Sequence, residues 1–146
     1  MRTIALLTIL LLVGCGGSVD ESDNNHGYGY SYDFRGDSGL ALRYSPSLLA
    51  EKPFPWMTLL EKEYLNVQEC VGISAPPPMV IVVNDGDLKP YGGLYYPDPD
   101  LIVVEHSSLQ LAFKHEVVHY LLHYGTGNLD PAHNSELFVR CSFAHP

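Results

Sequence analysis

Residues 113–138 read FKHEVVHYLLHYGTGNLDPAHNSELF and carry four of the chain's seven histidines. His115, Glu116 and His119 spell HExxH. Two imidazoles spaced i, i+4 lie one helical turn apart on the same face and can share a tetrahedral metal ion through ring nitrogens. The glutamate between them stands near a water on that ion, where it can act as a general base. Zn2+ is the metal this pattern implies, and a water activated for attack on a carbonyl is the chemistry it would perform.

A catalytic zinc takes three protein ligands and keeps its fourth position open. His123 continues the stripe, but it sits two turns from His115, about 12 Å along the helix axis. It is therefore read as a neighbour. Gly125 and Gly127 break the helix, and the turn-rich NLDPAH connection lets the chain reverse. A histidine on that returning loop can approach the ion from outside the helix, which makes His133 the preferred third ligand. Glu136, Asp130 and His123 stay open as alternatives, and Asp130 can also orient a histidine from behind.

These residues need a scaffold. A helix is expected from Leu109 to about Tyr124, capped by Ser107 or Ser108 and ended by Gly125 or Gly127. Its apolar sector, Val117, Val118, Leu121 and Leu122, faces away from the histidines and toward a core. Residues 55–70 repeat Trp56, Leu59, Leu60, Tyr64 and Val67 at helical spacing, with Glu61, Lys62 and Glu63 as an exposed charged face. MVIVVND, after three prolines, reads as a buried strand. GDLKPYGG is loop, and LYYPDPDLIVV reads as two short strands around a Pro-Asp turn. NSELFVRCSF is a final helix capped by Asn134 or Ser135. The fold class is α+β: a short mixed or antiparallel sheet packed on the histidine helix, with flanking helices.

Over roughly residues 79–142, the order GGLYYPDPDLIVVEHSSLQLAFKHEVVH resembles the zincin metallopeptidases, in which an edge strand precedes an HExxH helix. The resemblance implies that His115 and His119 bind zinc, that Glu116 is the general base, and that the edge strand holds an extended substrate. The mechanism also needs a donor for the developing oxyanion. Tyr91, Tyr95, Tyr96 and His106 are the candidates. The longer HExxHxxGxxH pattern of the metzincins is absent, because its glycine and last histidine would fall at Leu122 and Gly125. Glu136, 17 residues after His119, resembles the glutamate ligand of gluzincins.

The N-terminal MRTIALLTILLLV has a basic start and an apolar run of secretory-signal length. Leu12-Val13-Gly14-Cys15 resembles the bacterial lipobox, which implies a signal over 1–14, lipidation of Cys15 and an anchor in the envelope. Gly16 after the cysteine favours the outer membrane in a Gram-negative cell. Residues 15–39, rich in Gly, Ser, Asp and Asn, are read as a flexible tether whose Tyr28, Tyr30, Tyr32 and Phe34 can dock on the domain at 40–146. Export makes Cys70 and Cys141 a disulfide pair, stabilising by about 4 kcal/mol. The net charge of −9 comes with no basic stripe, so no nucleic-acid partner is expected.

The function these readings imply is a monomeric, lipid-anchored zinc metallopeptidase acting on protein or peptide substrates, or on peptidoglycan crosslinks. The alternative is a non-catalytic zinc-binding envelope lipoprotein.

Overall fold

A computed structural model describes residues 34–51 and 54–142. Within them, the apolar run Met79–Val83 forms strand β3, whose residues are buried on both faces. Such a run suits a strand flanked by two parallel neighbours. The sheet has five strands in the order β1-β2-β3-β5-β4, with β1 at Phe34–Arg35, β2 at Ala41–Tyr44, β4 at Gly93–Tyr96 and β5 at Leu101–Glu105. β3 pairs parallel with both β2 and β5, whereas β1 and β4 run antiparallel at the two edges. The sheet is thus mixed and the fold is α+β.

Parallel neighbours need a crossover. Helix α1 (Phe54–Val71) supplies the one between β2 and β3, and Met57, Leu60, Tyr64 and Val67 bury its inner stripe. The Pro-Asp turn closes the β4–β5 hairpin, in register at Tyr95↔Ile102 and Gly93↔Val104. Helix α2 (Leu109–Thr126) then packs Phe113, Val117, Val118 and Leu121 into the same core. It ends at Gly127, which takes φ 74° and donates its N–H to the His123 carbonyl. Helix α3 (Leu137–Ser142) is six residues long, too short to persist alone. It is held by Phe138 in the core and by the Cys70–Cys141 disulfide to α1. No helix among the described residues is long and apolar enough to cross a membrane.

Two expectations change and one strand is new. The tether gives way before residue 39: Phe34 and Arg35 pair with β2, and the Phe34 ring meets Tyr44 edge-on at 6.0 Å. One aromatic residue supplies the apolar contact that the local composition as a whole lacks. β2 is a strand that no alternation announces, since Ala41, Leu42 and Tyr44 are all buried and only Arg43 is partly open. Glu63 is not on an exposed face but 5% exposed, 3.8 Å from the Lys114 ammonium of α2. Gln110 Nε2 also donates to it at 2.7 Å. Packing of α1 on α2 encloses that position, and a carboxylate tolerates enclosure only when paired. The leader, Cys15, Tyr28, Tyr30 and Tyr32 lie outside the described residues.

Candidate metal centre

The one-turn spacing of His115 and His119 on α2 sets their rings 5.0 Å apart, tilted by 77°. Beyond Gly127 the chain returns through a tight loop organised by Asp130. Its carboxylate accepts the backbone N–H groups of Asn134 (3.1 Å) and Ser135 (2.7 Å), and its carbonyl accepts that of His133. Asp130 and His133 both adopt left-handed backbone, φ 49° and 53°. Non-glycine residues hold that conformation only when surrounding contacts impose it. Here it delivers His133 Nε2 to 2.9 Å from His115 Nε2 and 3.1 Å from His119 Nε2.

Proton counting shows what such a cluster needs. His119 Nδ1 lies 2.6 Å from the Leu129 carbonyl, so it carries the ring proton and donates it there, leaving Nε2 as a lone pair. His133 Nε2 holds at most one proton in the neutral ring and faces two nitrogens. Both contacts therefore cannot be good hydrogen bonds at once. A shared cation satisfies all three lone pairs, and the ligand atoms all lie within 4.8 Å of one another. Burial, reinforced by the neighbouring imidazoles, holds His115 down to about 4, and burial lowers His119 as well. Both rings are neutral near pH 7 and available as ligands. His115, His119 and His133 thus form a group that could hold a metal ion.

Phe138 backs the cluster, with its ring centroid 4.5 Å from His119, 4.7 Å from His133 and 5.1 Å from His115. The disulfide one turn later on α3 fixes that ring in place. Glu116 projects from α2 toward β4 instead. It is 7% exposed, and burial raises its carboxyl to about 7, against the opposing pull of the Tyr95 backbone N–H. The approach is close because β4 begins with glycine. A Cβ on Gly93 would come within 3.0 Å of Ala112 Cβ and Glu116 Cγ.

The other candidates separate clearly. Glu136 is exposed and outside the group. Asp130 spends its carboxylate on the loop. Tyr95 gives its single hydroxyl proton to Asp100 (2.7 Å), so His123 Nδ1, 2.9 Å away, is the donor to the tyrosine oxygen. That pair clamps the hairpin to the later turns of α2. His106 stacks edge-on against Trp56 at 5.9 Å, and Tyr96 packs on the second sheet face with Leu101 and Val103. Only Tyr91 of the four possible oxyanion donors lines the cleft that contains His115 and Glu116. Phe138 and the Gly93 contact are functional features without a sequence signal of their own. Their roles come from elements far apart in the chain.

No protein-family model matches the sequence, and no curated protein matches it.

Proposed function

We propose that this chain is a zinc-dependent metallopeptidase of the bacterial envelope, related to the zincins. The carrying observation is the convergence of three imidazole nitrogens, 2.9 and 3.1 Å apart, beside a buried carboxyl on the same helix. Three nitrogen ligands at zinc–nitrogen distances near 2.0–2.1 Å stand about 3.3 Å from each other in a tetrahedral site; the two pairs that include His133 lie near that spacing, and all three ligand atoms fall within 4.8 Å of one another. An all-histidine set with one position open suits catalytic zinc better than a closed structural site.

When bound, zinc lowers the pKa of a water to near neutrality and polarises the substrate carbonyl. His115, His119 and His133 would hold the ion, and the Leu129 carbonyl fixes the tautomer of His119. Glu116 takes a proton from the attacking water and passes it to the leaving amine. The Tyr95 N–H orients that carboxylate, and its raised pKa suits a group that both accepts and returns a proton near pH 7. Tyr91 is the candidate donor to the oxyanion. β4 presents its outer edge beside the cleft, where an extended peptide can pair with it. The lipid anchor at Cys15 belongs to the proposal and rests on the lipobox resemblance alone.

Glu116→Gln separates the enzyme from a zinc-binding lipoprotein. The expected variant binds one zinc per chain and has lost peptide hydrolysis. Zinc-loaded wild-type protein that cleaves neither casein nor a random peptide mixture would establish the non-catalytic alternative.

A further inference from the structure

Glu116, Tyr120 and His123 fall at positions i, i+4 and i+7 of α2, which places them in one stripe along the helix. That stripe runs in step with β4. Gly93 stands against Glu116, where an added Cβ would come 3.0 Å from Glu116 Cγ. Two residues on, the Tyr95 ring meets Tyr120 at 5.8 Å and His123 at 5.9 Å. We propose that His123 is a positioning residue for Glu116: acting through Tyr95, it holds the edge strand at the distance where the Tyr95 N–H reaches the Glu116 carboxylate. The kinetic consequence rests on the peptidase reading, whereas the clamp itself does not.

The topology calls for such a clamp. β4 has four residues and, among the described residues, β5 as its one strand neighbour. Backbone pairing with β5 fixes the register of β4 but leaves its spacing from α2 to side chains. Leu94 and Tyr96 pack on the opposite sheet face with Ile81, Leu101 and Val103. Gly93 has no side chain to offer. Tyr95 is left to tie the strand to the helix. A donor that drifts past about 3.5 Å no longer makes a hydrogen bond, so a small outward shift of β4 is enough to release the carboxylate.

Proton counting gives the tie a direction. The Tyr95 hydroxyl donates to Asp100 Oδ1 at 2.7 Å, and Asp100 itself is held in left-handed backbone, φ 62°, where the hairpin turn enters β5. The phenol has no second proton, so His123 Nδ1–H donates to its oxygen at 2.9 Å. His123, Tyr95 and Asp100 thus join helix, strand and turn in one line of hydrogen bonds. The donor sits on the first ring nitrogen, which an asparagine amide nitrogen matches in its number of bonds from the backbone. Leucine fills a similar space and donates nothing.

The test compares His123→Leu, His123→Asn and Tyr95→Phe with wild type in the zinc-loaded full-length protein. The first readout is NMR-detected hydrogen exchange of the Tyr95 N–H relative to the β3 amides, which does not depend on hydrolysis. Exchange should be roughly 5–10-fold faster in His123→Leu and Tyr95→Phe, the scale of one lost hydrogen bond, and near the wild-type rate in His123→Asn. The second readout is hydrolysis of a peptide that the wild type cleaves. At equal zinc content kcat should fall by a similar factor in the first two variants, the loss falling on kcat rather than KM, and recover in His123→Asn. Unchanged Tyr95 exchange in His123→Leu overturns the proposal. Equal acceleration in the leucine and asparagine variants does so too, because it marks His123 as packing alone. So does a wild-type hydrolysis rate that none of the variants alters. A wild type that cleaves no peptide overturns the peptidase reading, and the exchange rates then decide the clamp by themselves.

Discussion

Glu116→Gln should stabilise the metal-free fold while removing the proposed base, and the size of the gain follows from burial. The folded chain holds the Glu116 proton up to about pH 7, whereas an exposed glutamate releases it near 4.5. Between those two values the folded protein binds a proton that the unfolded chain has lost, so stability falls as pH rises through that window and levels off above it. At about 1.4 kcal/mol per pH unit, the ionised carboxylate costs the fold about 3 kcal/mol. Glutamine keeps the shape and an oxygen for the Tyr95 N–H but has no proton to lose. In excess chelator the variant and wild type should melt together at pH 4. By pH 8 the variant should melt higher, by roughly 10–20 °C for a domain of this size. His115 and His119 titrate in both proteins and largely cancel in the difference. A gap that is the same at pH 4 and pH 8 would show that Glu116 is not held in the dry environment described here, and would refute the assignment of its raised pKa.

Further expectations concern the ion and its support. His133→Ala should lower zinc affinity by more than about 100-fold, beyond the range typical of residues that merely orient a ligand, with Glu136→Ala near wild type in metal titrations. Retained affinity in His133→Ala would remove it from the ligand set. Cys70→Ser with Cys141→Ser should cost about 4 kcal/mol in denaturant unfolding, given a sequence separation of 71. It should also weaken zinc binding, because α3 carries Phe138 against all three imidazoles. Gly93→Ala should reduce kcat by about 10–100-fold with zinc content intact, because the new methyl displaces the Glu116 carboxylate. Equal losses of zinc and activity there would point to a folding defect instead.

How much of this was legible in the chain depends on the range of the interaction. The HExxH spacing and the glycine that ends α2 are written within one or two helical turns, where the 3.6-residue period operates. The β4–β5 hairpin and the apolar run of β3 are similarly local. Helix rise alone weighed against His123, and its bond to Tyr95 shows what it does instead. β2 was illegible because four residues carry too little pattern, and its burial comes from neighbours distant in sequence. Glu63 misled for the same reason: its charge predicts water, and only a lysine 51 positions later on a packed helix makes burial tolerable.

The sequence by itself determined two of the three clustered histidines and the carboxylate between them, because a single helix presents all three. For the third position it preferred His133 and left Glu136, Asp130 and His123 open. Tertiary structure brings His133 to the pair. The Asp130 loop forces a left-handed backbone at His133 and turns its ring onto the pair. The Phe138 backing and the Tyr95 N–H on Glu116 were decided there too. Each joins elements separated by tens of residues, and no local period encodes such a contact. Their geometry exists only once α2 has packed between the sheet edge and α3.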